Sequence, residues 1–289
     1  MCARPHSFPA TFAPIFVGTS FSLFYKINFK IDNFILFLVI CLLIQSATNL
    51  FNEYYDYKRG LDKIDSQGIS ASILRKKLSE KEVLNFAKLL YIIALFLGII
   101  LSLKTSLYLL AIGILSMVFG YIYTGGKYPI AYTPFGEITA GLFMGSIMVS
   151  VSFYLQTGFI NIMSTIISIP MFILVGNILL ANNIRDNIND KISGRKTFTI
   201  LFGKKISVIV LGISFLLIYL FNILLIFTKY GSLYNLLIFI TLPLSIKIIK
   251  GFLKNDTKEK MAPYMVYTAK LTIFSGIIIS FVNIVNSIK

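Results

Sequence analysis

The chain has 289 residues, of which 56% are hydrophobic and only 13% charged, and its mean hydropathy is +0.81. A soluble domain carries about 25% charged residues, so composition excludes that class. The apolar residues come in continuous runs near the ~20 residues that cross a bilayer, without the alternation of barrel strands, which leaves an all-α, polytopic membrane protein.

The net charge of +15 does not point to nucleic acid, because no soluble basic module accompanies it. Basic residues of membrane proteins gather in the loops that set orientation. Cys2 and Cys41 are too few for a metal site, and one lies near the chain start and the other inside an apolar run, so no disulfide is expected. The single histidine, His6, reads as an interfacial residue.

Hydropathy predicts nine spanning helices: Pro9–Tyr25, Phe34–Phe51, Val83–Leu103, Ser106–Tyr123, Phe135–Leu155, Met163–Ala181, Ile206–Phe227, Leu233–Ile249 and Tyr264–Ile284. Two long polar loops interrupt them, Asn52–Glu82 and Asn182–Lys205. With these spans, 20 of the 27 Lys and Arg residues fall on one side and five on the other. The basic side is expected to be cytoplasmic, together with the N-terminus and both polar loops. Of the 12 acidic residues only Asp32 falls on the opposite side. The orientation rule gives acidic residues little weight, so their crowding on one face needs another cause.

That cause lies in two segments. Asn182-Asn183-Ile184-Arg185-Asp186-Asn187-Ile188-Asn189-Asp190 follows one apolar run, and Asn49-Leu50-Phe51-Asn52-Glu53-Tyr54-Tyr55-Asp56 ends another. If the helices continue outward, Asn182, Asp186 and Asp190 share one face, and Asn49, Asn52, Glu53 and Asp56 share another. Carboxylate and amide oxygens at a membrane surface suit a hard divalent cation. Each segment runs on into cations, Lys58, Arg59 and Lys63 in the first and Lys191, Arg195 and Lys196 in the second. A diphosphate held through a metal needs this mixture: carboxylates for the metal, Lys or Arg for the remaining phosphate oxygens. Helix capping accounts for one Asp or Asn per helix end, not for several in register twice.

The two segments, with Asp62 downstream of the first, resemble the paired Asp-rich motifs of the UbiA superfamily of intramembrane prenyltransferases, over nearly the whole chain and with its nine helices. Further stretches are similar to the branch of that superfamily that prenylates 1,4-dihydroxy-2-naphthoate in menaquinone synthesis: Ala3–Ser7, Asn52–Asp62, Tyr123-Thr124-Gly125-Gly126-Lys127-Tyr128-Pro129 with Gly136-Glu137, and Asn182–Gly203. Gly68-Ile69-Ser70-Ala71-Ser72 is less glycine-rich than that branch, and Glu53 stands where many members have Asp.

The resemblance implies a single domain over residues 1–289, folded as a helical bundle around a central cavity, in a cell membrane of bacterial type. It implies a magnesium-dependent transfer from polyprenyl diphosphate to an aromatic acceptor, with loss of diphosphate and CO2, giving demethylmenaquinone. Asn52, Asp56, Asp62, Asp186 and Asp190 would hold magnesium directly or through water, with Asn182 nearby. Arg185, Lys191 and Arg195 would take diphosphate oxygens. Tyr123 and Lys127 match a Tyr-x-x-x-Lys pattern, the tyrosine for the allylic cation and the lysine for diphosphate or the acceptor carboxylate. Glu137 would face the acceptor or only start its helix. The same chemistry on 4-hydroxybenzoate or homogentisate is the near alternative. A cation transporter is the distant one, and it would place ionisable groups near the bilayer midplane rather than at one surface.

Overall fold

A computed structural model describes residues 7–60, 73 and 77–288. Among them the regular structure is helical throughout. Nine helical segments stand where nine spans are expected: α1 Pro9–Ser22, α2 Ile31–Lys58, α3 Glu80–Lys104, α4 Leu107–Ile122, α5 Gly136–Thr157, α6 Ile162–Ile192, α7 Lys204–Ile226, α8 Leu233–Lys254 and α9 Lys258–Ser287. Seven of them are long and apolar enough to cross a membrane; α1 and α4 are shorter. A one-turn helix, Phe198–Phe202, precedes α7.

Helix ends follow local chemistry. Ser79 and Glu82 form a capping box at the start of α3, and Asn161 and Ser164 do the same for α6, satisfying amide donors that have no partner within the helix. Two predicted boundaries are corrected. The α2 helix runs to Lys58 rather than Phe51, and α6 runs to Ile192 rather than Ala181. Hydropathy marks where a helix leaves hydrocarbon, whereas backbone hydrogen bonding continues through polar residues that tolerate a helix. Both Asp-rich segments therefore lie on helices and not in loops.

The chain divides into two compact units, Met1–Phe8 with Ile35–Tyr132, and Pro9–Phe34 with Thr133–Lys289. In the first, Ala47, Leu50, Phe51 and Tyr54 of α2 pack with Val83, Ala87 and Leu90 of α3. The Tyr91 hydroxyl donates to the Met117 carbonyl of α4 at 2.9 Å. Gly120 lets these helices close, since a Cβ there would lie 2.6 Å from Thr48 Oγ1 and 2.7 Å from the Tyr91 hydroxyl.

In the second unit α1 packs against α5 and α9, and α6 against α5, α7 and α9. Phe21, Phe153, Met171, Leu174, Ile184, Leu211 and Phe215 are buried at the centre. Lipid is as apolar as these side chains, so close approach and polar staples supply much of the specificity. Gly141 and Gly145, four residues apart in a π-helical stretch of α5, meet the backbone of Met171 and Phe172. Asn177 and Ser214 exchange hydrogen bonds between α6 and α7, and Asn283 of α9 donates to Ser20 Oγ of α1 at 3.1 Å.

Candidate active site

In the first unit the end of α2 is built against the loop that follows α4. Asn52 Oδ1 accepts from Thr124 Oγ1 at 2.6 Å, and Thr124 is buried. Arg59, just past α2, donates through Nη1 to the Thr124 carbonyl and through Nη2 to the Gly126 carbonyl. Its guanidinium lies 5.3 Å from the Tyr55 ring centroid and 5.4 Å from that of Tyr132. The loop is thus stapled to the helix that carries the first motif. Gly126 has a φ of +78°, a left-handed conformation that glycine adopts without strain.

The shared face expected of Asn49, Asn52, Glu53 and Asp56 divides among different partners. Asn49 Nδ2 donates to Ser7 Oγ at 3.2 Å, and Gln45 Nε2 donates to the same hydroxyl and to the Ser7 carbonyl. Glu53 is only 1% exposed, and its Oε1 accepts from the Ile73 amide at 3.3 Å. Asn49 and Glu53 therefore anchor neighbouring chain. Asn52 and Asp56 are half-buried. Tyr123 caps α4 and is half-buried, its carbonyl accepting from the Ala131 amide at 2.8 Å. Lys127 is exposed, with Nζ 5.4 Å from the Tyr128 ring centroid. Asp62 lies outside the described residues.

In the second unit the end of α6 carries an interlocked set of charges. Arg185 pairs with Asp186 through Nε and Nη2, and Nη2 also donates to Asn182 Oδ1 at 2.6 Å. The remaining Nη1 rests 3.0 Å from Met265 Sδ of α9. Lys258, the first residue of α9, places Nζ 3.3 Å from Asp186 Oδ1. One turn beyond Asp186, Asp190 is paired with Arg195 at 3.2 Å, and the Arg195 amide donates to the Asp190 carbonyl. Lys191 is exposed. Asp256, in the connection before α9, is hydrogen-bonded to Lys204 at 2.7 Å, which holds its carboxyl below the ordinary range.

Behind this set, Asn183 Nδ2 donates to Glu137 Oε1 at 2.8 Å, joining α6 to the first turn of α5. Glu137 Oε2 and Asn187 Oδ1 are buried without a hydrogen-bond partner among the described residues. Both alternatives for Glu137 therefore have a physical footing: it starts a helix, and it keeps one acceptor oxygen unused.

Of the residues expected in the second motif, the structure joins Arg185 to Asp186 and Asn182, and Asp190 to Arg195 one turn on. Sequence reasoning missed Arg59 as a clamp, Thr124 as the partner of Asn52, and Lys258 as a second cation on Asp186. Lys258 carries no signal beyond being one of five lysines between Lys247 and Lys260. Thr124 stood within the Tyr-x-x-x-Lys stretch, which was the available hint.

Among the described residues, no three of His, Cys, Asp and Glu converge as a ready metal centre. The donor chemistry nevertheless fits magnesium: Asn52, Asp56, Asp186 and Asp190 offer hard oxygens, with no competing thiolate or imidazole in either motif.

Comparison with known proteins decides the family. The model of the UbiA prenyltransferase family matches residues 11–274, running through both units. The chain belongs to the UbiA prenyltransferase family. Among curated relatives, it is 44% identical over 278 residues to the 1,4-dihydroxy-2-naphthoate octaprenyltransferase of Bacillus subtilis (strain 168), covering 96% of this chain and 89% of that protein. It is 31% identical to the protein of the same name from Haemophilus influenzae, over 70% of this chain and 68% of the relative. A UbiA homolog from Archaeoglobus fulgidus, solved bound to GPP and Mg2+, has the same fold, with a TM-score of 0.66 at 17% identity over 97% of this chain and 98% of that one. The UbiA fold thus accounts for the all-helical, multi-pass architecture.

Proposed function

We propose that this UbiA-family protein transfers a polyprenyl group from polyprenyl diphosphate to 1,4-dihydroxy-2-naphthoate. Diphosphate and CO2 leave, and demethylmenaquinone forms in its reduced, quinol state, since no oxidant takes part. The observation that carries this reading is the 44% identity, over 96% of the chain, to a relative named for that acceptor. The whole chain acts as one domain in a membrane, with both motifs at the cytoplasmic face.

Magnesium, when bound, would neutralise the departing diphosphate and so make it a competent leaving group. Asn52, Asp56 and Asp62 of the first motif and Asp186 and Asp190 of the second are the residues that would hold it, directly or through water. Arg185, Lys191, Arg195 and Lys258 pair with phosphate oxygens, as charge-assisted bonds to phosphate require. Tyr123 presents an electron-rich ring to the allylic cation. Lys127 pairs with the carboxylate of the acceptor. Arg59 and Thr124 act through Asn52 and the loop, as positioning residues. The buried Glu137 oxygen faces a hydroxyl of the acceptor.

The test is a membrane assay that offers 1,4-dihydroxy-2-naphthoate, 4-hydroxybenzoate and homogentisate together with one polyprenyl diphosphate, with products identified by mass. Prenylated naphthoquinol is the expected product. Prenylation of either other acid alone would transfer the same chemistry to a different acceptor, and no prenylated product at all would overturn the reading.

A further inference from the structure

Helix α8 ends as a two-sided segment. From Leu242 to Lys254 it buries Ser245, Ile248, Gly251 and Phe252 and exposes Lys247, Lys250 and Lys254. The three lysines stand at i, i+3 and i+7, along one ridge of the helix. Together with Pro243, Ile246 and Tyr264 of α9, they line an open groove of about 370 Å³.

The groove is shaped by its neighbours. A Cβ at Gly251 would lie 2.1 Å from the Tyr264 ring, so the absent side chain is what lets that ring form a wall. The Lys247 ammonium is steadied 4.4 Å from the Tyr267 ring centroid. Among the described residues none of the three lysines pairs with a carboxylate, and Asp256 nearby in sequence is engaged by Lys204. Three uncompensated cations beside apolar walls are chemically complementary to a lipid of negative headgroup.

The position agrees. Lys254 is the last residue of a membrane-length helix, and Lys258, four residues on, holds Asp186. The groove therefore opens at the end of this unit that carries the second Asp-rich motif. Ile246 and Leu253 are exposed beside it, facing hydrocarbon once the helix is in a bilayer. A free phosphate has no use for such a wall.

We propose that this groove binds the phosphodiester headgroup of an anionic phospholipid, with Lys247, Lys250 and Lys254 around the phosphate and an acyl chain along Pro243 and Ile246. Basic recesses between membrane helices are suited to such headgroups. This site is independent of the transfer reaction, and its test needs no turnover.

The experiment uses the full chain, purified and delipidated in detergent, titrated with phosphatidylglycerol or phosphatidylcholine and read by native mass spectrometry. Wild type is expected to retain phosphatidylglycerol and not phosphatidylcholine. The triple variant Lys247→Gln, Lys250→Gln, Lys254→Gln is expected to bind phosphatidylglycerol about tenfold or more weakly. Replacing the same three with arginine is expected to keep binding, which separates lost charge from a lost fold. Lys229→Gln, in the connection that precedes α8, is expected to bind as wild type does. Excess inorganic phosphate is expected to leave the lipid in place. Equal binding by the glutamine variant, loss in the arginine variant, equal retention of phosphatidylcholine, or full displacement by inorganic phosphate would each overturn the proposal.

Discussion

Lys258 reaches Asp186 from the first residue of α9, with its ammonium 3.3 Å from Oδ1, so that this carboxylate is shared between Lys258 and Arg185. In the proposed reaction Asp186 would hold magnesium, and Lys258 and Arg185 would then be available to phosphate oxygens. Lys258→Met is therefore expected to raise the KM for polyprenyl diphosphate ten- to a hundredfold, because a hydrogen bond to a charged group is worth about 1.5–3 kcal/mol. Lys258→Arg should recover much of it. Initial rates against donor concentration check this, and an unchanged KM would make Lys258 a purely structural partner of Asp186.

Asp56→Asn and Asp186→Asn are each expected to reduce turnover by a factor of about a thousand or more, corresponding to several kcal/mol of lost charge stabilisation at about 1.4 kcal/mol per tenfold. Asparagine keeps the shape and is tolerated within a helix as well as aspartate is, so the protein should still insert. Rates above about a tenth of wild type in both variants would remove the carboxylates from the chemistry.

Chelation of divalent cations in purified membranes should abolish product, and magnesium should restore it. The proposed donors Asn52, Asp56, Asp186 and Asp190 offer hard oxygens only, so a soft metal such as cadmium should restore less activity at equal concentration. Turnover that survives exhaustive chelation would refute the metal requirement.

Arg59→Ala removes two hydrogen bonds to the Thr124 and Gly126 carbonyls. The expected result is a stability loss of about 1.5–3 kcal/mol, the worth of the part-buried bond to Thr124, since the bond to Gly126 is exposed, together with reduced turnover as the loop that holds Asn52 loosens. Arg59→Lys has one ammonium for two carbonyls and should fall between. Thermal unfolding in detergent, paired with initial rates, measures both effects.

Gly141→Ala would set a Cβ 2.5 Å from the Phe172 carbonyl, a contact that backbone cannot yield cheaply. Overpacking of this kind costs about 1–3 kcal/mol. Gly98→Ala, where a Cβ meets nothing within 4 Å, should be neutral or mildly stabilising because alanine favours helix. The comparison of unfolding temperatures isolates the α5–α6 contact.

Much of the architecture was legible in advance. Apolar runs marked the nine helical segments; seven meet the length that hydrocarbon thickness imposes, and α1 and α4 fall short of it. Helix spacing placed Asp186 one turn from Asp190 and next to Arg185. What could not be read was which polar residue meets which across distant sequence. Nothing in Asn49 or Glu53 announced that they would anchor Ser7 and Ile73 instead of joining Asn52. A period-3.6 pattern reports a shared face and is silent about what lies opposite it. The same gap hid the pairing of Arg59 with Thr124, whose backbone carbonyl has no side-chain signature at all.

The pairing of Asp186 with Arg185 and Lys258, and of Asp190 with Arg195, has a thermodynamic consequence. Each carboxylate is internally neutralised, so a bare cation must compete with guanidinium or ammonium, and a bare diphosphate must compete with carboxylate. In the proposed reaction magnesium would draw on the carboxylates and diphosphate on the cations, so each would release the groups the other needs. Binding of the two would then be positively cooperative, and reciprocity requires that magnesium raise affinity for diphosphate by the same factor as diphosphate raises affinity for magnesium. Such a site would ignore either ion alone at low concentration and fill with their complex.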